Sequence, residues 1–192
     1  MSASGQVTDE ALLEAYAAGD ARAASVLTAR VLPRVYRHAS RVLGDRVEAE
    51  DVAQEAMVKL WHLAPTWQPG QAQVTTWLYR VTANLCIDRL RRRGGVGLDE
   101  IPEPRDPQPS AHDRMLRQAR HDALQKALDR LPERQRQAVV LRHIEGLANP
   151  EIAEVLDISP RAVESLTARG KRALASALEG QRAEIGFEDD TG

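Results

Sequence analysis

A single cysteine, Cys86, stands in a chain of 192 residues, so no intramolecular disulfide can form and no cysteine-based zinc site can be assembled. With Leu85 and Ile87 beside it, it reads as a packed thiol. No apolar run approaches the roughly 18 residues that span a bilayer. The opening residues, MSASGQVTDE, have neither a basic start nor an apolar segment. The expectation is a soluble cytoplasmic protein without membrane insertion. Sustained apolar/polar alternation with β-branched enrichment is missing, which argues against strands. So are HExxH, a glycine-rich phosphate loop and a nucleophile motif, and the five histidines, His38, His62, His112, His121 and His143, are scattered. These absences exclude the common enzyme classes and leave no expected cofactor and no metal site.

What is present is enough apolar material, 43% of residues, for one core of moderate size or two small ones. The formal net charge of -2 hides a segregated distribution. Between Arg80 and Arg93 five arginines face Asp88 alone, whereas from Glu179 onward five acids face Arg182. Contacts with phosphates need local cations, so a near-neutral sum does not exclude a nucleic-acid partner.

Helical periodicity runs through both halves. Thr8 before Asp9 and Glu10 predicts an N-cap, with Leu12, Leu13 and Tyr16 on one face and Gly19-Asp20 as the stop. A second stripe, from Val26 to Val42, ends at Gly44-Asp45, with Pro33 a kink or a break. A third helix starts near Val47 and ends before Pro65; a fourth runs from near Val74 to Gly94-Gly95. The stretch GGVGLDEIPEPRDPQPSAHD, with four prolines, has the composition of an extended linker. Beyond it, Met115 to Leu131 is amphipathic, Pro132 is expected at the first position of another helix, and Gly146 caps that helix. The fold class is all-α: two small helical domains, residues 8–94 and 114–178, joined by a flexible linker, 95–113, and followed by an acidic, disordered tail, 179–192.

Asn149-Pro150 predicts a capped helix start, and Ser159-Pro160 repeats it after the turn Asp157-Ile158-Ser159. Two short helices, a plug at Ile158 and a second helix that buries Val163 and Leu166 make the pattern of a helix-turn-helix. Arg161, Glu164, Ser165 and Thr167 or Ala168 then point outward for base edges, and Arg169, Lys171 and Arg172 come next for phosphates. The alternative is a helical hairpin whose charges only solvate it.

Three stretches together, EAEDVAQEAMVKLW (48–61), VTTWLYRVTANLCIDRLRRR (74–93) and the segment 131–174 with the helix-turn-helix, resemble a bacterial RNA polymerase sigma factor of the extracytoplasmic-function group (group 4 of the sigma-70 family), the short type with only the second and fourth sigma regions. The resemblance implies a subunit that directs core polymerase to promoters and initiates transcription, held in check by an anti-sigma factor. Asp51, Gln54, Glu55 and Val58 would dock on the clamp helices of the largest polymerase subunit, with the second domain on the flap of the second-largest. Arg80, Asn84, Asp88 and Arg91 form a polar stripe beside the loop APTWQPGQAQ. By resemblance, Asn84 and Gln68, Gly70, Gln71 and Ala72 would line a pocket for a flipped base of the minus-ten element, while Arg80, Arg91, Arg92 and Arg93 would track phosphates. Ser159, Arg161, Glu164, Ser165, Arg169, Lys171 and Arg172 would meet the minus-thirty-five element. Many relatives have lysine at 164, so the sequence of the minus-thirty-five element is not inherited with the resemblance; accepting a hydrogen bond from cytosine would make Glu164 a specificity determinant. Asp88 is expected to pair with Arg91 or Arg92, and Trp61, Trp67 and Trp77 to anchor the core or loop. The rival readings are a free-standing regulator, which would bind palindromic duplex without polymerase, and an enzyme.

Overall fold

The computed structural model describes residues 7–68, 70, 72–93 and 111–179. Helices α1 (Asp9–Ala17), α2 (Ala21–Leu43), α3 (Arg46–Leu63) and α4 (Val74–Arg93) build the first half, and no strand occurs among the described residues. Their starts are set by short acceptors: Thr8 Oγ1 takes the Ala11 N–H at 3.2 Å, Asp20 Oδ1 that of Arg22 at 2.9 Å, and Asp45 Oδ1 that of Glu48 at 3.0 Å. Gly44, at φ +66°, ends α2 in the left-handed conformation that a glycine adopts without strain. Pro33 neither breaks nor divides α2, which runs unbroken through it. Leu13, Leu27, Leu60 and Leu78 lie fully buried in the core these helices share, each worth about 2 kcal/mol of apolar burial.

The second half consists of α5 (Ala111–Asp129), α6 (Glu133–Val139), α7 (Asn149–Leu156) and α8 (Pro160–Glu179). Four boundaries differ from the sequence expectation, the last of them at the end of α8, which takes in Glu179, the first residue of the expected tail. Helix α5 takes in Ala111 to Asp113, which composition had placed in the linker; once Pro109 is passed nothing in that stretch opposes a helix. Pro132 is the cap of α6 rather than its first residue, because its extended ψ of 139° leaves it outside the helix. Asn149 is already helical and Ala148 takes the cap, because Glu151 reaches back to accept the Ala148 N–H at 2.6 Å and no side-chain acceptor is needed at the cap itself. The rest of the linker and all but Glu179 of the tail lie outside the described residues.

The helical path continues beyond Val139, where α6 ends. It widens into a π turn, Val140–Ile144, closed by Glu145 N–H to the Val140 carbonyl at 3.0 Å. Such turns insert an extra residue into a helix and redirect the chain beyond it.

The two halves are packed together. Leu128, Leu131, Val139 and Val140 join Ala39, Val42, Ala49, Val52 and Cys86 in one apolar cluster; Leu141, Leu147, Ile152 and Val163 join Tyr79 and Ala83 in another. Two buried polar side chains of α6 cross between the halves: Arg136 Nη1 donates to the Val42 carbonyl at 2.6 Å, and Gln137 Nε2 to that of Ala83 at 3.3 Å. Linker composition alone carried no expectation of this closure.

Candidate nucleic-acid interface

Helix α4 is held at its start from a distance. The backbone N–H of Val74 donates at 3.0 Å to the carboxylate of Glu10 on α1, so an acid that reads locally as a first-turn residue also caps a second helix. Val74 and Leu78 are buried, Trp77, Val81 and Leu85 are half-buried, and Arg80, Asn84, Asp88 and Arg91 form an exposed stripe. Arg92 is exposed as well. Arg93 is not free to track phosphates: it donates to Asp45 at 2.7 Å, to the Leu43 carbonyl at 2.9 Å and to Glu48 at 3.0 Å, fastening α4 to the junction of α2 and α3. Asp88 makes no ion pair with Arg91 or Arg92; an exposed pair of that kind gains too little to fix two side chains.

Before α4, Gln68 and Gly70 are exposed, Gly70 at φ +85°, and Ala72 is half-buried; Gln71 lies outside the described residues. The tryptophans turn inward. Trp61 meets Tyr16 edge-on, ring centroids 4.8 Å apart, and Trp67 and Trp77 pack partly buried on the first core.

On α3, Asp51, Gln54 and Val58 are exposed, Val58 by half, and Glu55 is partly so. Arg89 of α4 spans the two acids, 3.9 Å from Asp51 and 3.6 Å from Glu55, and Lys59 adds a 3.4 Å contact to Glu55. Val47, 70% exposed, lies on the same helix. Leu32, Pro33, Tyr36 and Ala53 line an apolar groove bordered by Glu50 and Gln54.

In the second half, α7 ends at Leu156 and Asp157 turns the chain at φ 52°, the one non-glycine with positive φ among the described residues. Ile158 plugs the turn from a half-buried position, and Ser159 Oγ accepts the Ala162 N–H at 3.2 Å to start α8. Val163 is buried and Leu166 is only half-buried. Arg161, Glu164, Arg169, Lys171 and Arg172 are exposed, and Ser165 is half-buried beside them. Ser159 thus shapes the helix start, and the four cations stand outward along α8.

One cluster has no precursor in local sequence. Glu145, at the end of the π turn, has a wholly buried carboxylate. It accepts two bonds from Arg37 of α2, Nε at 2.8 Å and Nη2 at 2.6 Å, and one from the Tyr79 hydroxyl of α4 at 2.8 Å. Burial and then the Glu145 bond push the Tyr79 hydroxyl well above its ordinary range, and the Glu145 bond raises the Arg37 guanidinium. The partners lie 108 and 66 residues from Glu145 in sequence, too far for any spacing rule to join them. Among the described residues no three His, Cys, Asp or Glu side chains could hold a metal ion, and no helix is long and apolar enough to cross a membrane.

Comparison with known proteins gives two family matches. Residues 27–96 match the model of sigma-70 region 2, and residues 121–174 that of sigma-70 region 4. The chain is 40% identical over 150 residues to the ECF RNA polymerase sigma factor SigE of Mycolicibacterium smegmatis, covering 76% of this chain and 57% of that one. It is 33% identical over 171 residues to the ECF RNA polymerase sigma factor SigM of Mycobacterium tuberculosis, covering 89% of this chain and 85% of that one. Among solved structures, CnrH in complex with the cytosolic domain of CnrY superposes at a TM-score of 0.66 with 26% identity, over 90% of this chain and 97% of that one. The sigma factor RpoE of Bartonella quintana, solved with the anti-sigma factor NepR, shares the fold at a TM-score of 0.64 and 21% identity, over 81% of this chain and 96% of that one.

Proposed function

Since the chain belongs to the extracytoplasmic-function sigma factors of the sigma-70 family, we propose that its two exposed polar surfaces, on α4 and on α8, read the two elements of a promoter while it is bound to core polymerase. A sigma factor is a non-catalytic initiation subunit: it directs the polymerase to promoters and performs no bond chemistry itself. The finer assignment is to group 4, acting in the cytoplasm, and it is supported by the pairing of a region 2 match with a region 4 match, only residues 97–120 lying between them.

The observation that carries the reading is the exposed stripe of Arg80, Asn84, Asp88 and Arg91 on a helix whose aromatic neighbours are turned into the core. Single-stranded bases offer hydrogen-bonding edges and phosphates, which an amide and flanking guanidiniums satisfy. Asn84, with Gln68, Gly70, Gln71 and Ala72, is assigned to a flipped base of the minus-ten element. Arg80, Arg91 and Arg92 are assigned to its backbone, and Arg93 to holding α4 in place. On α8, Arg161, Glu164 and Ser165 read the minus-thirty-five element, and Arg169, Lys171 and Arg172 hold phosphates. Glu164, acidic among cations, accepts a hydrogen bond from cytosine.

The polymerase surface is the α3 face, Asp51, Gln54, Glu55 and Val58, with the groove at Leu32, Pro33 and Tyr36 next to it. Acids around exposed valines fit the basic, amphipathic clamp helices of the largest subunit, and the second domain is assigned to the flap of the second-largest. Control by an anti-sigma factor is supported by the likeness to CnrH, which was solved with a protein partner, the cytosolic domain of CnrY.

Run-off transcription with purified core polymerase on a library of upstream DNA tests the reading. New transcription starts are expected with the protein present, reduced at least about fivefold by Asn84→Ala and by Arg161→Ala, the order expected for a lost base contact of about 1–3 kcal/mol. No starts, with tight duplex binding by the protein alone, would reject it.

A further inference from the structure

The closed arrangement of the two halves bears on the α4 surface directly. Asn84, Asp88 and Arg91 line a cleft of about 370 Å³ whose opposite wall is the turn Leu156, Asp157 and Ile158 of the helix-turn-helix. That volume lies at the low end for a pocket holding one small molecule, roughly 300–1,000 Å³. Arg80 lies outside this cleft, but a strand laid along Asn84, Asp88 and Arg91 would have to enter between α4 and that turn while the second half is seated there.

What seats it is polar as well as apolar. The Glu145 carboxylate is wholly buried, and its three bonds all go to the first half, two to Arg37 and one to Tyr79. A buried carboxylate without partners is strongly unfavourable, so Glu145 stabilises closure only while Arg37 and Tyr79 are in place, and in an open molecule it must rehydrate. The π turn at Val140–Ile144 ends at this residue. An extra residue inserted at the end of α6 is a means of aiming one side chain, and here the aimed side chain joins three helices: α6 to α2 and α4.

We propose that Glu145, Arg37 and Tyr79 form a latch that holds the second half over α4, so that the free protein withholds its own strand-binding surface until the latch opens. The proposal rests on the reading of α4 as the strand-binding surface. Closure reduces apparent affinity for a strand by the fraction of molecules that are open, and releasing the latch restores it.

The test uses the full chain with spin labels on His62→Cys of α3 and Ser176→Cys of α8, both exposed positions, while buried Cys86 stays unlabelled. Pulsed electron resonance reads the distance between the halves. Binding is read separately with a fluorescein-labelled oligonucleotide bearing the non-template strand of a promoter recovered by run-off transcription. Glu145→Gln and Arg37→Gln are expected to move the distance distribution outward and to tighten strand binding about tenfold, within the usual range of coupling between sites. The double exchange Arg37→Glu with Glu145→Arg is expected to return the distances part of the way. Unchanged distances in both single variants would overturn the latch. Longer distances without tighter strand binding would overturn the self-inhibition, while Asn84→Ala in run-off transcription still decides the α4 reading by itself.

Discussion

His38 lies wholly out of solvent on α2, edge-on to Tyr79 with ring centroids 5.6 Å apart, and neither ring nitrogen has a hydrogen-bond partner among the described residues. Burial pushes its pKa down to about 4, against a smaller opposing pull from Glu145. The unfolded chain titrates this group near 6.5, so between the two values the unfolded state binds the proton and the folded state does not. Stability therefore rises with pH from about 4 to about 6.5, and acidification through that window removes of order 3 kcal/mol. Chemical denaturation across that range should show a shallower pH slope for His38→Leu than for the parent; parallel slopes would mean that His38 is solvated. Burial likewise pushes the Cys86 thiol up to about 12, in line with the packed thiol read from its neighbours.

Between α6 and α8 the contact is close enough to require a glycine. A Cβ on Gly170 would stand 2.5 Å from Val139 Cγ2 and 3.2 Å from the Gln135 carbonyl oxygen, and the latter is backbone and cannot swing aside. Gly170→Ala should lower unfolding stability by about 1–3 kcal/mol despite alanine's better helix propensity, measured as a drop in Tm. A Tm at or above that of the parent would show that the two helices can separate at no cost. Nothing in the motif ARGKRAL marks this glycine as a packing residue, because the neighbour it meets lies on another helix. Helix starts were more legible: Thr8 and Ser159 act on backbone three residues away, so the sequence carries the whole interaction, whereas Asp20, read only as the stop of α1, also caps α2. Asn149 and Pro132 each miss by one position because the cap is decided by backbone ψ and by Glu151 reaching back. The π turn was invisible, since periodicity cannot show one added residue in so short an apolar run. Exposure of Asn84, Arg80 and Arg161 was readable from helical phase, whereas the engagement of Arg93 by Asp45 and Glu48 depends on how α4 crosses α2 and α3. The same holds for Glu10 on α4 and for Arg89 between Asp51 and Glu55.

At the scale of the molecule, a net charge of -2 and a closed arrangement favour weak binding of DNA by the free chain. Tethering to polymerase raises the effective concentration of both surfaces at once. Elements at minus ten and minus thirty-five stand about 25 base pairs apart, about 85 Å of duplex at ~3.4 Å per pair, so the proposed assignment of one to α4 and the other to α8 calls for the two halves to separate on the promoter. The central claim, that one chain reads two separated elements with two different helices, is open to direct mapping. An iron chelate that cleaves nearby DNA would be attached to Asp88→Cys on α4 or to Ala168→Cys on α8, one at a time, and added with core polymerase to a promoter fragment. Cuts near minus ten from the first and near minus thirty-five from the second are the predicted result. Cuts from both at one and the same stretch, or equal cutting of duplex without polymerase, would contradict the account.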